Sequence, residues 1–516
     1  MLGKKCKLVI LVMGFFFLGL QKNIALAAVQ TKSDDQSTSD DQFFKKLVRR
    51  TQVLESQLRH LKSQVTYLQR QQSRKTQVTK VTASSTEIDI VADPNRPVFI
   101  IGTPVISSPY IGINSEYNAS DLVVNQPYIN EDLYLLQQRR QLRNYLYKQN
   151  KFPEMNTPIV NLSGKIEAQI IHGNQFGNLR RSMTDIDLTG IELDTEVLVN
   201  SWVTGLIAFM YDNGPPHTSP RRIDNSRLAL ERGFLTIGKL DRLPLYSTIG
   251  QFYVPFGQYS SAMISNAFTK TLGRTKARAI ALGFSTQLNS ENNLNLAAFV
   301  FRGPSKTSDG NRGLHNYGGN VSYTFSKQKW NLNLAASYIR NITDSVGMQH
   351  NGNIDASNGF SGFATNEQTE ILNPVAGIDT RGTLSVEPVS LVVEYVTAAS
   401  PFSVSTLSFG TQNNLRGAKP EAFHTELAYK FSAWKKPSGL AVSYDQSKDA
   451  LALLIPKKRY SMTASTSIWK DTIESIEFRH DVDYSATDVS VGQRLTPIIG
   501  TGQSANTVTF QIGLYF

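Results

Sequence analysis

Cysteine is nearly absent from this chain of 516 residues, and so are long apolar runs beyond its N-terminus. The single cysteine is Cys6, and no cysteine follows it. The chain after residue 6 therefore cannot form disulfides or cysteine-ligated metal sites. A helical membrane span needs about 18 consecutive apolar residues, which no later segment provides. Of the net charge of +11, residues 1–27 carry +4 and residues 28–80 carry +6, so only +1 remains for residues 81–516. A nucleic-acid partner is therefore not expected.

Alternation of apolar and polar residues is the dominant pattern from residue 159 onward. The final stretch places Phe510, Ile512, Leu514 and Phe516 on one face and polar or small residues on the other. A period of two with one fully apolar face is typical of a strand that faces lipid. The terminal aromatic is similar to the assembly signal of bacterial outer-membrane barrels. We therefore interpret this stretch as a barrel strand and expect the barrel-assembly machinery as a partner. The alternative interpretation is an edge strand of a soluble β-sandwich.

Comparable stretches recur often enough to predict an all-β protein, a transmembrane antiparallel β-barrel of sixteen strands over residues 159–516. The predicted strands begin near residues 160, 184, 202, 227, 245, 276, 293, 316, 330, 375, 389, 421, 439, 458, 473 and 506. An even count puts the N-terminal arm and the C-terminus on the same, periplasmic, side of the outer membrane.

Connection lengths and tryptophans indicate the same orientation. Short connections alternate with long polar ones, including residues 212–226, 255–275 and 341–374, which we assign to extracellular loops. Indole rings prefer the lipid headgroup region, so tryptophans at the short connections predict a periplasmic aromatic girdle in the outer-membrane lipid. The four are Trp202, Trp330, Trp434 and Trp469.

The N-terminal arm divides into a signal, a polar segment and a helix. Residues 1–27 combine early lysines, a short apolar stretch and an Ala-Leu-Ala cleavage pattern at 25–27, as in a secretory signal peptide. Residues 28–42 are polar and predict disorder. Residues 43–75 space apolar side chains by three and four, which predicts a periplasmic coiled coil that joins copies of the chain, as a homotrimer. A lone amphipathic surface helix is the alternative.

Residues 76–158 form a linker and a short segment without strand alternation. Asn130 precedes two acidic residues and a stretch with helical periodicity that ends before Phe152, so the pattern predicts a helix here. Two interpretations remain open: a small periplasmic subdomain, or a constriction or plug inserted into the barrel lumen.

Chemistry is predicted to reside in the lumen. The seven histidines show no metal-ligand spacing and there is no Gly-x-Ser-x-Gly motif, so we expect no metal, cofactor or enzymatic activity, with a hydrolase built from separate strands as the alternative. Because the net charge of this region is near zero, we expect an acidic and a basic sector facing each other. The candidate inward charges are Lys165, Glu167, Glu192, Asp194, Glu196, Arg381, Glu426, Lys430, Glu477, Arg479 and Asp481.

One stretch carries a family resemblance. Gly250, Tyr253, Pro255, Phe256 and Gly257 mark a strand running into a long connection, and together with the stretches at 108–112, 120–125 and 130–133 they make the sequence resemble the LbtU-type siderophore porins. The resemblance implies uptake of a ferric siderophore through a sixteen-stranded barrel without a TonB-type plug domain. A general or anion-selective porin and a coiled-coil tether to the cell wall are the alternatives.

Overall fold

The computed structural model describes residues 98–100, 103–107, 125, 128–148, 158–176, 178–212, 227–305, 313–327, 329–349, 373–492 and 497–516. The predicted signal peptide, polar segment and coiled coil lie outside these residues, as does the family-like stretch at 108–112.

Two short strands, β1 (Val98–Ile100) and β2 (Thr103–Ser107), precede the barrel. The barrel strands are β3 (Ile159–Gln175), β4 (Asn178–Leu198), β5 (Val203–Asp212), β6 (Arg227–Gly238), β7 (Leu245–Tyr253), β8 (Lys276–Gln287), β9 (Asn292–Phe301), β10 (Asn316–Lys327), β11 (Trp330–Ile339), β12 (Gly377–Val386), β13 (Val389–Ala398), β16 (Glu421–Ala433), β17 (Lys436–Lys448), β18 (Lys458–Thr466), β19 (Thr472–Val482) and β22 (Ser504–Tyr515). Outside the wall lie β14 (Leu407–Thr411), β15 (Asn414–Gly417), β20 (Asp488–Gly492) and β21 (Ile498–Ile499).

The sixteen wall strands close into an antiparallel barrel. Each pairs with its neighbours, and β22 returns to pair with β3 from Thr507↔Gly173 to Tyr515↔Lys165. At the terminus, Gly164 N–H donates to Phe516 O (2.7 Å) and Phe516 N–H donates to Gly164 O (3.0 Å). Below that point β2 runs parallel to the start of β3. Closure satisfies the backbone groups that an open sheet would leave unpaired in lipid.

The wall is apolar outside and polar inside. Along β22 the exposed fraction alternates without exception: Phe510 is 43% exposed and Ile512 39%, whereas Gln511 between them is 3% exposed. Leu282 and Ile476 repeat the outward apolar pattern on other strands. Since successive side chains of a strand point to opposite faces, the apolar set faces lipid and the polar set faces the lumen.

The short connections gather at one rim, together with the C-terminus, because strand direction alternates around the barrel. The tryptophans at this rim are all exposed: Trp202, Trp330, Trp434 and Trp469. At the opposite rim, β14, β15, β20 and β21 form a small separate sheet from the β13–β16 and β19–β22 connections.

The helices belong to the connections between strands and to the segment that precedes the barrel wall. They are α1 (Glu131–Lys148), α2 (Phe268–Gly273), α3 (Val346–Gln349) and two short 3-10 turns at Ile342–Asp344 and Leu451–Leu453. Among the described helices, none combines the length and apolarity needed to cross a membrane.

The prediction of a sixteen-stranded antiparallel barrel is confirmed. Fifteen wall strands begin within three residues of the predicted positions, whereas β4 begins six residues early. The difference has a physical reason: β3 and β4 are 17 and 21 residues long, and they stay paired as far as Gln175↔Asn178. They therefore extend past the length of about 9–11 residues that a bilayer requires.

Candidate functional site

The first turns of α1 lie inside the barrel, against the inner faces of β4 to β7. Arg139 donates to the Thr204 hydroxyl (3.0 Å) and to the Gly238 carbonyl (2.5 Å). Thr248 donates its hydroxyl hydrogen to Asp132 Oδ2 (2.7 Å). Of the two interpretations left open by the sequence, the lumen insert therefore describes residues 128–139.

A buried cation anchors this insert to the wall. The Arg232 guanidinium, fully buried on β6, is paired with Glu131 of α1 and with Glu192 and Asp194 of β4; its nitrogen lies 3.0 Å from Asp194 Oδ1. The guanidinium also stacks over the ring of Tyr128, 3.9 Å from the centroid. A guanidinium shared by three carboxylates and an aromatic face is held strongly, because removing either sign leaves buried charge uncompensated.

A β-bulge makes this anchor possible. Ala208 of β5 pairs with Arg232 and the next residue, Phe209, pairs with Leu230, so Glu231 is the extra residue. Two consecutive side chains, Glu231 and Arg232, are therefore both buried. Regular alternation would have pointed one of them into lipid.

Glu131 belongs to α1, outside the membrane-spanning strands. Burial raises the pKa of Glu131 to about 7, although the neighbouring Arg232 guanidinium opposes the shift. At neutral pH this carboxyl group therefore titrates in its docked position.

The family-like stretch is the point at which the chain leaves the wall and enters the lumen. Gly257 has a φ of +76°, and an added Cβ would lie 2.0 Å from the Tyr259 ring. Its N–H donates to the Ser337 hydroxyl on β11 (3.2 Å). Tyr253 donates to Glu231 (2.5 Å) and stacks on Tyr128 of the first insert. The stretch is therefore a turn into the barrel, and only glycine meets the backbone geometry at residue 257 without strain.

Residues 254–275, named the lumen loop, cross the barrel instead of extending outward. Their base is closed by a hydrogen bond from Val254 N–H to Thr275 O (3.0 Å). The assignment of residues 255–275 to an extracellular loop was therefore wrong. Loop length does not distinguish the two cases, because a long connection can fold outward or inward.

Carboxylates on four wall strands hold the lumen loop through its backbone. Glu394 Oε1 on β13 accepts from the N–H groups of Gln258 and Tyr259 (both 3.1 Å). Glu426 on β16 accepts from Ala262 (3.0 Å), Glu477 on β19 from Ile264 and Ser265 (2.5 and 3.1 Å), and Asp445 on β17 from Phe268 (3.0 Å). Charged acceptors make these bonds stronger than neutral ones, so the loop is fixed across the lumen.

Asn125, which precedes the first insert in the chain, contacts the lumen loop. Asn125 exchanges backbone hydrogen bonds with Ser261, at 3.1 and 3.4 Å. Its side-chain amide donates to Asn266 Oδ1 (2.9 Å) and its amide oxygen accepts from Lys270. The N-terminal segment and the lumen loop therefore form one connected obstruction.

Some of the predicted inward charges contact the two inserts, and the others pair with neighbours on the wall. Glu192 and Asp194 bind Arg232 below α1; Lys165 is paired with Glu167 (3.2 Å), and Glu196 accepts from Asn161 (3.2 Å). Three of the charges contact the lumen loop: Arg381 donates to Ser260, Glu426 accepts from Ser261, and Glu477 accepts from Ile264. Asp481 binds both Arg459 (2.6 Å) and Arg479 (3.0 Å), and Lys430 lies half-buried on the same face of β16 as Glu426.

The expectation of two facing sectors of opposite sign was wrong. Arg232 sits among acids, and Arg381 lies 3.6 Å from Glu394, so opposite charges are immediate neighbours. Buried charges without such neighbours would be too costly in a packed lumen. Sequence reasoning also missed Arg232, Glu394 and Asp445. The Glu231-Arg232 pair was the only local signal, and its meaning depended on the bulge.

A closed β-barrel with an apolar exterior, and with a polar interior that holds inserted segments, belongs to the outer-membrane β-barrel class. The chain belongs to the UPF0422 family. It is 40% identical over 436 residues to a UPF0422 protein of Legionella pneumophila strain Lens, covering 83% of this chain and 79% of that protein. It is 37% identical over 415 residues to a UPF0422 protein of Coxiella burnetii, covering 79% of this chain and 83% of that protein. No family model matches the sequence.

Solved barrels are similar at low identity. An anion-selective porin from Comamonas acidovorans matches 70% of this chain and 100% of its own with a TM-score of 0.44 and 9% identity. Salmonella typhi OmpF in complex with daunomycin matches 69% and 97% with a TM-score of 0.43 and 12% identity. At these values the similarity adds no functional argument, and the fold rests on the strand pairings given above.

Proposed function

We propose that the protein is an outer-membrane channel of the porin type that takes up a ferric siderophore without a TonB-type plug domain. One observation supports the function as a channel: the closed barrel has a polar interior that is narrowed by two inserts, which hydrogen bonds and ion pairs hold in place. Sixteen strands enclose a lumen wide enough to conduct water unless it is obstructed. Partial obstruction by a loop and a helix favours a selective channel over an unrestricted one.

The choice of a ferric siderophore as cargo is supported by the resemblance to the LbtU-type siderophore porins. The geometry of the two inserts restricts how such a complex would pass through the lumen. Both inserts cross the lumen, so a ferric complex requires one of them to shift. The lumen loop continues into paired wall strands at both ends, β7 and β8, whereas the described part of α1 is held mainly at its first turns by Arg232. Withdrawal of α1 breaks no wall pairing, so α1 is the movable element in this proposal.

The charge of the lumen bears on the cargo. Among the described buried side chains, Asp and Glu outnumber Arg and Lys by sixteen to four. This set includes acids outside the wall strands, such as Asp344 and Asp449, and leaves out the half-buried cations of the inner face, Lys165, Lys430, Arg459 and Arg479. Both signs of charge therefore line the lumen, and its charge favours neither an anionic nor a cationic cargo.

Uptake of radiolabelled iron complexes in a strain lacking the gene tests the proposal. We expect uptake of the siderophore-bound iron to fall and to return when the gene is restored, while uptake of an unrelated nutrient is unchanged. Equal uptake with and without the gene would contradict the siderophore as cargo. Single-channel recording of the refolded protein separates the alternative: a ferric siderophore should block the current of a specific channel and leave that of a general porin unaffected.

A further inference from the structure

A cavity of about 240 Å³ remains beside the two inserts, and its lining carries no charge. One wall is the inner face of β9, β10 and β11, and the other is formed by α1 and the turn of the lumen loop. The wall side chains that matter here are amides and hydroxyls: Asn293, Asn295, Asn320, Ser322, Thr324 and Asn333. Tyr134, Gln137 and Gln258 face them from the inserts. The charged network described above therefore lies elsewhere in the lumen.

The sequence concentrates asparagine in this part of the wall. Strand β9 contains three asparagines and β10 and β11 contain two each, whereas the other thirteen wall strands contain four in total. The same three strands contain a single charged residue, Lys327, at the end of β10. Asparagine is depleted in strands in general, so sheet propensity does not explain this concentration. Five of the seven line the cavity, and a requirement for neutral hydrogen-bonding groups on the lumen side explains these five.

Hydrogen bonds between neighbouring strands orient these amides. Asn320 Nδ2 donates to the Ser337 hydroxyl (2.8 Å), and Asn333 Nδ2 donates to the Thr324 hydroxyl (2.9 Å). Asn295 Nδ2 lies 3.4 Å from the Ser322 hydroxyl, and its Oδ1 accepts no hydrogen bond from the described residues. Acceptors and hydroxyls are thus held in place along the wall.

We propose that this cavity is a binding subsite for uncharged, hydroxyl-rich solutes of about monosaccharide size. Amides and hydroxyls each offer donors and acceptors, which a polyol can match group by group. A charged solute would lose hydration and meet no opposite charge. The volume equals that of roughly eight water molecules at about 30 Å³ each, which fits a small sugar. This goes beyond a ferric complex as cargo and assigns the channel a second class of solute.

Matched solutes test the subsite. Full-length protein in proteoliposomes is supplied with radiolabelled glucose, gluconate or glucosamine, which share a size and differ in charge. We expect glucose to enter about fivefold faster than either charged solute. The variant Asn320→Asp keeps the side-chain shape and adds a negative charge, so glucosamine should gain on glucose and gluconate should fall further. Asn506→Asp, which places the same charge on an exposed residue of β22, is the control and should change no ratio.

Binding to the detergent-solubilised full chain separates this proposal from the channel itself. Saturation-transfer NMR should show glucose contacting the wild type and the Asn506→Asp variant, with a weaker signal for Asn320→Asp. Glucose binding without permeation would support the subsite and reject glucose as a transported solute, whereas the uptake assay with ferric siderophore tests the proposed channel. Equal entry of the three solutes, ratios unaffected by Asn320→Asp, or absence of both entry and binding of glucose would overturn the subsite.

Discussion

Ala262 in the lumen loop donates its backbone N–H to the Glu426 carboxylate on β16 at 3.0 Å. The bond joins a loop that leaves the wall after β7 to a strand on another part of the barrel. Since the donor is backbone, the contact depends on the carboxylate and on the path of the loop, and hardly on the residue at position 262. Four carboxylates use the same device, which makes the lumen loop a fixed part of the channel.

Removing two of these carboxylates should loosen the loop. In the variant Glu426→Ala/Glu477→Ala, backbone N–H groups of the loop lose charged acceptors worth about 1.5–3 kcal/mol each. We expect a larger and noisier single-channel current in planar bilayers. Glu474→Ala removes a carboxylate from the same strand that binds the backbone of Ile468, outside the loop, and serves as the control. Identical traces for the double variant and the control would show that the loop is held by other contacts.

Loss of the buried cation should release α1. Arg232→Ala leaves Glu131, Glu192 and Asp194 buried without their guanidinium, at a cost of about 3–5 kcal/mol. We expect higher conductance and faster proteolysis within residues 128–148, while the folded barrel persists on unheated gels. Arg242→Ala, at an exposed residue of a short turn, is the matched control. Protection of α1 equal to that of the wild type would contradict the anchoring role.

Docking of α1 should weaken as pH rises. The docked pKa of Glu131 is about 7, raised above its ordinary value of 4.5 chiefly by burial. A raised pKa means that docking favours the protonated acid, so this contribution is complete below about 4.5 and is lost as pH rises through about 7. We expect conductance to increase between about pH 5 and pH 8, because the Glu131 carboxyl group ionises over roughly this interval. The groups facing Glu131 are Arg232, Glu192, Asp194, Asp132 and Glu231.

The variant Glu131→Gln tests this assignment because it cannot titrate. Its conductance should be nearly independent of pH over the same interval. A profile equal to that of the wild type would assign the pH response to another group.

The turn into the lumen should tolerate no side chain at residue 257. Gly257→Ala must adopt a φ of +76° and places its Cβ 2.0 Å from the Tyr259 ring, so we expect destabilisation of about 1–3 kcal/mol. Thermal unfolding in detergent micelles measures the loss. At Gly382 an added Cβ would meet only the Leu334 side chain at 3.5 Å, and Gly382→Ala should unfold close to the wild type. Equal losses in both variants would mean that the turn is not the strained point.

The last residue should matter for closure and assembly. Deleting Phe516 removes two backbone hydrogen bonds to Gly164 and an outward aromatic side chain. We expect less folded protein in the outer membrane, measured by heat-dependent gel mobility of membrane fractions. Phe516→Tyr, which retains the backbone and the ring, should assemble normally. Normal assembly of the deletion would reject the terminal aromatic as the assembly signal.

Much of the wall was predictable because its pattern is local. Alternation with a period of two depends only on which residues face lipid, so Phe510, Ile512 and Leu514 indicate strand and face without reference to any other part of the chain. The same reasoning placed Glu192 and Asp194 on the inner side. It failed at Arg232, where the bulge at Glu231 shifts the alternation.

The sequence by itself determined the sixteen strands, the apolar exterior and the polar interior, since each follows from the chemistry of neighbouring residues. Tertiary structure alone decided what fills the lumen. Glu394, Asp445 and Glu477 are far apart in sequence, and they bind one loop only because closure brings their strands around it. Whether a long connection folds outward or inward depends on such distant acceptors, and no local pattern encodes them.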